Sequence, residues 1–345
     1  MKLVARPLQN PYVRLEPLEA RHREPLRPLA ADPSLWVQTT LNASTDFDAW
    51  FDAMLTASAG AAQMSFAVFD RRAGAYAGHT SYLAIAQDYD RVEIGWTWYG
   101  RAFHRTHVNP ASKRLLFAHA FRSGAARVEL KAGTQNLRSQ GAMTKMGAVR
   151  EGVLRSHTPV WSGGRRDTVY FSVLSDEWPA VRDGLDARLA ALSGFAISED
   201  DPARPDVTAL LRRHLAFTRE HSPEGACYAL DVEALKGEGI VFWTASEAGR
   251  PVGCIALKAL EDGRGEIKSM HVAQDVRGRG AAQALLSKAI ERARANGWTW
   301  LGLETGRSDG FAPSAALYAS AGFEDCAAFP PYHDGGFSRC MSRSV

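Results

Sequence analysis

The sequence predicts an α/β protein made of two copies of one fold, and three observations support this prediction. The chain has 345 residues, about twice a typical domain length of roughly 150 residues. Four residues of the first half recur, in the same order, about half a chain later. Each half also alternates strand-like with helix-like patterns, as expected for helices that cross between strands of one mixed sheet.

The repeat is defined by four residues of the first half that return in the second. The matched pairs are Glu93 with Glu266, Leu115 with Leu285, Gly124 with Gly297 and Gly147 with Gly322, at offsets of 173, 170, 173 and 175 residues. An offset that stays near half the chain indicates a duplicated domain. We therefore predict a first domain at 1–177, a linker at 178–205 and a second domain at 206–345.

Periodicity locates the main elements of each half. Apolar runs predict strands at 64–70, 77–84, 240–245, 251–260 and 266–272. Apolar residues at helical spacing predict an amphipathic helix at 281–295. In the first half, Asn109 and Pro110 predict a helix start, as a cap followed by a proline in the first turn. Trp298 and Trp300 alternate in a predicted strand, which favours packing over a role in stacking on bases.

Composition excludes several classes of protein. With 46% hydrophobic and 23% charged residues and a mean hydropathy of −0.23, the chain is neither disordered nor fibrous. It has no run of about 18 apolar residues and no apolar segment near its start, so we expect a cytoplasmic protein without a membrane partner. A net charge of +3 without a basic helix predicts no nucleic-acid binding.

Cysteines and histidines give no metal pattern. His107 and His271 have no second ligand three or four residues away, and we expect no metal site. The cysteines fit no zinc or redox spacing, and we expect reduced thiols at Cys227, Cys254, Cys326 and Cys340.

The most specific local feature is the loop R-G-R-G-A-A at 277–282, between a predicted strand and an amphipathic helix. Glycines there let backbone N–H groups converge at a helix N-terminus, where anions bind, and Arg277 and Arg279 add donors. A tight turn with solvated arginines would also explain it. Gln283 replaces the third glycine of a dinucleotide fingerprint, and the motifs of nucleotide hydrolysis, zinc proteolysis and serine hydrolases do not occur.

Together with its surroundings, this loop resembles the GNAT family of N-acetyltransferases. The resemblance rests on R-x-x-G-x-A at 277–282, E-I-K-S-M-H-V at 266–272, L-G-L-E-T-G at 301–306 and A-L-Y-A-S-A-G-F at 316–323. It implies acetyl-CoA as the acyl donor, bound without a metal. The implied cofactor contacts are main-chain groups of Met270 and Val272 and the loop residues Arg277, Gly278, Arg279, Gly280, Ala281 and Ala282.

The first half resembles another branch, the RimJ/RimL-like acetyltransferases. This second resemblance rests on V-E-I-G-W-T-W at 92–98, R-T-H-V-N at 105–109 and Q-N-L-R-S at 135–139. It implies two tandem GNAT folds, each with a mixed, mostly antiparallel central sheet flanked by helices. It also implies Asn136 and Ser139 as cofactor-binding residues. The first-half phosphate loop is degenerate, because His107 and Asn109 stand where glycines would allow a phosphate to approach.

Acetyl transfer to an amine needs a base, an acid and a neutral nucleophile. Deprotonating an alkyl amine at pH 7 costs about 4.6 kcal/mol. Glu266 is the candidate base, directly or through water, and the alternative is a solvent-facing strand carboxylate. Glu304 is a second candidate for amine binding or base chemistry, and the alternative is an ion pair with a nearby lysine or arginine such as Lys268. Tyr318 matches the family's tyrosine that protonates the coenzyme A thiolate, and the alternative is a core residue.

Three further positions qualify the resemblance. Phe311 stands where the family usually has an asparagine, and Met143 stands at the first-half position that matches Tyr318. The segment 329–334 resembles one near the acceptor site of relatives, so Tyr332 is either an acceptor contact or part of a structural turn.

The leading functional hypothesis is an N-acetyltransferase with its main catalytic site in the second half. It would transfer acetyl from acetyl-CoA directly to an amine of a small molecule or a peptide. One alternative has both halves catalytic. The other is a coenzyme A-responsive binding or regulatory protein without turnover.

Overall fold

The computed structural model describes residues 1–60, 63–223, 228–333 and 336–345, which form two compact units, Met1–Leu185 and Asp186–Val345. Each unit contains one mixed sheet with helices, which confirms the predicted fold class. The region 178–205, predicted as a linker, includes a helix and a short strand. The domain bounds proposed from the sequence stay a prediction.

The first unit has an eight-stranded sheet in the order β1-β2-β3-β4-β5-β6-β8-β7. Its strands are β1 (Leu8–Gln9), β2 (Val13–Pro17), β3 (Gln63–Asp70), β4 (Ala75–Ala86), β5 (Arg91–Tyr99), β6 (Arg127–Gly133), β7 (Val149–Pro159) and β8 (Arg165–Leu174). Its helices are α1 (Arg23–Leu26), α2 (Phe47–Ala59), α3 (Val108–Arg122) and α4 (Leu137–Lys145), and α5 (Trp178–Ala191) begins in this unit.

The second unit has a seven-stranded sheet in the order β14-β15-β13-β12-β11-β10-β9. Its strands are β9 (Ala196–Glu199), β10 (Ile240–Glu247), β11 (Arg250–Leu260), β12 (Arg264–Val272), β13 (Trp300–Gly306), β14 (Glu324–Asp325) and β15 (Ser338–Ser344). Its helices are α6 (Pro205–His221), α7 (Ala281–Ala295) and α8 (Ala312–Ser320). The predicted helix at 281–295 is confirmed.

Among the strands that the structure describes, each sheet contains one parallel pair, and in each pair the two strands separate after a few residues. In the second unit, β12 and β13 pair up to Ile267 and Leu303, although β12 continues to Val272. In the first unit, β5 and β6 pair only up to Glu93 and Glu129. We call the opening beyond these pairs the seam of each unit. Parallel strands joined by a helix, and bordered elsewhere by antiparallel strands, give both units the same frame.

Backbone conformation repeats at a constant offset of 173 residues. Trp96 and Ser269 both have a left-handed φ, of 47° and 48°, at a bulge just inside the seam. Helices α3 and α7 then start at Val108 and Ala281 and have 15 residues each. Because a non-glycine residue pays a steric cost at positive φ, its recurrence at both bulges indicates a constraint inherited by both copies.

Three local predictions are wrong. Asn109 is not the cap of its helix, because α3 starts one residue earlier, with His107 at the N-cap position. Trp298 precedes β13 and packs its ring over Gly265, so only Trp300 lies in the strand. Leu115 and Leu285 are not equivalent, because the two helix starts place Leu115 one helical turn away from the match.

Candidate functional site

The loop at 277–282 in the second unit forms an uncapped helix N-terminus. Gly278 and Gly280 both adopt left-handed φ values, of 74° and 100°, and Gly280 is the N-cap of α7. No side chain of the described residues caps this helix. The first-turn amides, which include those of Ala281 and Ala282, have no partner inside a helix. A negatively charged group would satisfy these amides and complement the helix dipole.

The two loop arginines are held by the protein on either side of the loop. The Arg279 guanidinium forms a two-pronged ion pair with Glu247 and lies 5.7 Å from the ring centre of Phe195. Arg277 lies 5.6 Å from the ring centre of Phe217. Both arginines remain exposed. They therefore fix the loop while leaving positive charge beside the amides.

The seam of the second unit starts at a bulge with an unsatisfied polar group. Cys254 Sγ donates to the carbonyl oxygen of Ser269 at 3.3 Å, which holds the bulge. The Ser269 hydroxyl is buried and has no hydrogen-bond partner within the described residues. Met270 and Val272, predicted to contact the cofactor, follow directly on the same strand. A buried polar orphan here fits a ligand with amide or carbonyl groups.

A buried polar triad lies at the start of the same seam. Glu266 is only 1% exposed, so the alternative of a solvent-facing carboxylate is wrong. Its Oε1 accepts hydrogen bonds from the hydroxyl of Tyr332 and from Lys268 Nζ, the latter at 3.2 Å. Lys268 Nζ also donates to the Tyr332 hydroxyl. Burial, followed by the charge of Glu266, raises the pKa of Tyr332.

Glu304 lies on β13 one residue beyond the last parallel pair and is more accessible than Glu266. Burial raises its pKa, and the charge of Glu266 adds to this effect, while Ser338 and Lys268 oppose it. Within the described residues, the ion pair of Lys268 is with Glu266, so the alternative ion pair with Glu304 is not seen. Glu304 is therefore a carboxylate with a pKa moved towards neutral pH.

Tyr318 lies on α8 and faces the core of the second unit. Its ring meets Phe323 edge-on, with ring centres 5.9 Å apart. Burial raises the pKa of Tyr318, and the charge of Glu304 adds to this effect. The hydroxyl thus stays protonated across the physiological range. Phe311, which replaces the usual asparagine, is buried against Phe217 and Phe337.

The matching loop of the first unit shares one left-handed position with the loop of the second unit, differs from it at the helix N-cap, and carries side chains where the second has glycines. Arg105 has a left-handed φ of 62°, like Gly278, whereas His107 has a φ of −67° where Gly280 has 100°. The amide of Val108 donates to the Thr106 hydroxyl at 3.3 Å. One helix amide is thus already satisfied. His107 Nε2 lies 3.0 Å from Asp70 Oδ1, which holds the imidazole in place.

Other predicted positions are placed as follows. Asn136 and Ser139 meet at the N-terminus of α4, where Asn136 Oδ1 accepts a hydrogen bond from the Ser139 amide at 3.1 Å. Met143 is buried on the same helix. Burial lowers the pKa of His271 to about 3, and its ring lies 5.2 Å from that of His214.

Free thiols are found at Cys254, Cys326 and Cys340, as predicted for these three cysteines. Cys227 and Asp334, the last residue of the predicted acceptor segment, lie outside the described residues. Among the helices of the described chain, none is both long and apolar enough to cross a membrane.

The sequence analysis missed one contact and one buried residue. The hydrogen bond between Tyr332 and Glu266 joins positions 66 residues apart, and no local sequence pattern predicts it. Lys113 is a buried amine on α3, and a local signal did exist. It lies three and four residues before the apolar Leu116 and Phe117, a spacing that places the three on one helix face, and residues 110–120 are all buried.

Comparisons with known proteins find the same family in both halves. Residues 206–323 match the profile of the "Acetyltransferase (GNAT) family", and residues 13–149 match that of the "Acetyltransferase (GNAT) domain". Over 151 residues, the chain is 36% identical to the uncharacterized N-acetyltransferase YedL of Escherichia coli, covering 44% of this chain and 95% of that protein. It is 37% identical over 149 residues to the uncharacterized N-acetyltransferase YsnE of Bacillus subtilis, covering 43% and 99%. It is 32% identical over 155 residues to the IAA acetyltransferase of Azospirillum brasilense, covering 45% and 100%.

Proposed function

Because the chain belongs to the GNAT family of acetyltransferases, we propose that this acyltransferase moves acetyl from acetyl-CoA to an amine, with its main catalytic site in the second unit. The observation that carries the proposal is the coincidence, in one unit, of an uncapped glycine-rich helix start with two carboxylates, Glu266 and Glu304, at the start of the seam. The acceptor is an amine of a small molecule or a peptide.

On the donor side, the chain offers groups for both ends of the coenzyme. The amides at 278–282, flanked by Arg277 and Arg279, suit the pyrophosphate. The main chain of Met270 and Val272 suits the pantetheine arm, since a strand that leaves its partner can pair with an extended ligand. The unsatisfied hydroxyl of Ser269 supports this placement.

On the acceptor side, we assign the base to Glu304 and a supporting role to Glu266. Glu304 combines access with a raised pKa, and both favour a proton acceptor near neutral pH. Glu266 is buried and already accepts hydrogen bonds from Tyr332 and Lys268. As a base it would act through one of these partners, such as the Tyr332 hydroxyl, which makes it the second candidate.

In the proposed transfer, the amine displaces the thiolate of coenzyme A from the acyl carbon in a single step. The amine nitrogen forms a bond to the acyl carbon as the carbon–sulfur bond breaks, and Glu304 takes the amine proton. We propose that Tyr318 donates its hydroxyl proton to the leaving thiolate, because it matches the family's tyrosine in that role; burial raises its pKa, which keeps the hydroxyl protonated but also makes it a weaker acid. Glu304 then releases the amine proton to solvent and Tyr318 recovers a proton from solvent, which returns both groups to their starting states.

The experiment is a thiol-release assay on the full chain with acetyl-CoA and a panel of amino acids, polyamines, aminoglycosides and N-terminal peptides. We expect saturable release with at least one amine, and loss of that release in Gly278→Glu. Acetyl-CoA binding without turnover on the whole panel would favour the regulatory alternative. Turnover that persists in Gly278→Glu would place the main site in the first unit.

A further inference from the structure

The first unit contains a buried amine that the proposed chemistry does not use. Lys113, on the second turn of α3, is 5% exposed. Its Nζ donates to the hydroxyl of Thr97 at 2.8 Å, and Thr97 in turn lies 2.8 Å from the hydroxyl of Thr80. An ammonium group has three donors, and within the described residues this one forms a single hydrogen bond.

The surroundings of Lys113 do not compensate its charge. Glu93, a carboxylate that acts on it electrostatically, is ion-paired with a different amine, Lys131. Burial accordingly lowers the pKa of Lys113 to about 7, against the opposing charge of Glu93. At the equivalent position of the second unit stands Leu286, also buried, so the fold itself does not need an amine here. Burying an amine costs free energy, and a buried amine that the fold does not require indicates a functional role.

Lys113 reaches the seam of the first unit. Thr97 follows the bulge at Trp96, and the pairing of β5 with β6 has already ended at Glu93. Thr97 corresponds to Met270 of the second unit, because the two bulges are 173 residues apart. The bulge is held in both units by a side chain of the neighbouring strand, here by His79, whose Nδ1 lies 2.9 Å from the Trp96 carbonyl oxygen.

We propose that Lys113 Nζ donates a hydrogen bond to the acyl carbonyl oxygen of an acyl thioester held in the seam of the first unit. The choice of ligand class rests on the proposed function. In this role Lys113 lets the first unit distinguish an acylated coenzyme from the free thiol. The free thiol has no carbonyl oxygen at that end, and everything else in the two ligands is the same.

The chemistry of the site favours a carbonyl oxygen. The charged and the neutral amine both carry N–H donors, so the contact forms on either side of neutral pH. Thr97 accepts one hydrogen bond from the nitrogen and is itself 2.8 Å from the Thr80 hydroxyl, and within the described residues the other donors of the amine form no hydrogen bond. Because Lys113 is buried, a hydrogen bond from its amine contributes more than the same bond in water.

The test uses the full chain with Gly278→Glu, which disables the coenzyme loop of the second unit, and measures binding by calorimetry. Acetyl-CoA and free coenzyme A are compared with and without Lys113→Met. We expect Lys113→Met to weaken acetyl-CoA binding about tenfold or more, as for a lost hydrogen bond of a charged donor, and to leave coenzyme A binding unchanged. Unchanged coenzyme A binding also shows that the variant is folded. The same substitution at the exposed Lys145 is the control, and it should change neither affinity.

Several results would overturn the proposal. These are no acetyl-CoA binding in the Gly278→Glu chain, an equal loss for both ligands in Lys113→Met, or a mass gain on Lys113 that identifies it as an acetyl acceptor. The proposed function fails separately, through absence of turnover in the unmodified chain. That outcome leaves the comparison of the two ligands intact.

Discussion

The Tyr332 hydroxyl donates a hydrogen bond to Glu266, and both side chains are buried at the start of the seam in the second unit. This contact joins the chain after α8 to the central strand β12. It also brings Lys268 into the same group, since its amine donates to both partners. The triad thus satisfies a buried carboxylate that would otherwise be costly.

Tyr332→Phe removes one of the two donors to Glu266. We expect a loss of about 1–3 kcal/mol in the free energy of unfolding, because a buried charged acceptor loses a partner. Urea denaturation of the full chain measures it. Tyr228, whose ring packs edge-on to Tyr332 at 5.0 Å, gives the matched control, and Tyr228→Phe should cost less. Equal losses would show that the hydroxyl of Tyr332 contributes nothing specific.

The site residues predicted from the sequence are those carried by local motifs. The loop at 277–282, Glu266 on its strand and Tyr318 on its helix are all placed by the order of elements. The contact between Tyr332 and Glu266 could not be predicted, because it depends on how the chain after β14 folds back over the sheet. The burial of Glu266 follows from the same contact, and a strand pattern alone gives only the face on which a residue lies.

Gly278→Glu tests the phosphate-binding role of the loop. The backbone at Gly278 is left-handed, and open space surrounds the position of a Cβ, so the substitution strains the backbone without a clash. Gly249 has the same properties, with a φ of 80° and open space, at a turn of the same unit. We expect similar destabilisation of about 1 kcal/mol from both substitutions to Glu.

Only Gly278→Glu should weaken acetyl-CoA binding at the second unit, by about a hundredfold or more, because it adds a negative charge to the proposed pyrophosphate site. Calorimetry on the two variants measures this difference. Comparable acetyl-CoA affinities in the two variants would show that the loop at 277–282 is not part of the cofactor site.

Glu304→Gln tests the assignment of the base. Burial raises the pKa of Glu304, so its ionised form, which is needed to accept a proton, is lost as pH falls through that raised pKa. The acidic limb of the kcat profile should therefore lie above the ordinary range of a glutamate. We expect Glu304→Gln to lower kcat about a hundredfold and to flatten that limb.

The exposed Glu324 serves as a control for this test, and Glu324→Gln should leave the profile as it is. Glu266→Gln distinguishes the two carboxylates. If it flattens the acidic limb while Glu304→Gln does not, then Glu266 is the base and acts through Tyr332.

Tyr318→Phe tests the assignment of the acid. The change removes only the hydroxyl and keeps the ring against Phe323. We expect kcat to fall between tenfold and a hundredfold, while the KM for acetyl-CoA changes less than twofold. Because the pKa of Tyr318 is raised, the unmodified protein should show no alkaline loss of kcat from this group up to pH 9. An unchanged kcat in Tyr318→Phe would show that Tyr318 is not the general acid.

The fold was predictable where periodicity is strong, and the errors have physical causes. The helix at 281–295 is amphipathic and ends before Gly297, and its bounds are as predicted. Asn109 is a favoured cap residue, yet the chain enters α3 through the left-handed Arg105, which brings His107 to the N-cap. Leu115 and Leu285 share a residue type but differ by one turn, a shift that leaves a residue on nearly the same helix face and that a sequence match cannot detect.

Lys113→Met gives a prediction about stability that does not depend on any ligand. The unfolded chain keeps the lysine proton up to about pH 10.4, whereas the folded chain, with its pKa lowered to about 7, releases it earlier. Between these values the unfolded state binds more protons, so the stability of the unmodified first unit rises with pH. Below pH 7 both states are protonated, and the full cost of burying the charge remains.

The stabilisation gained by Lys113→Met should therefore be largest at pH 6 and shrink by about 1.4 kcal/mol per pH unit between pH 7 and pH 10. Urea unfolding at pH 6, 8 and 9.5 measures it, followed by tryptophan fluorescence. Six of the nine tryptophans report on the first unit. Other titrating groups, Glu93 among them, are present in both proteins and largely cancel in the difference. Lys145→Met, at an exposed site, should show no such slope. A difference that is constant with pH would mean that Lys113 keeps the same protonation in the folded and unfolded chain.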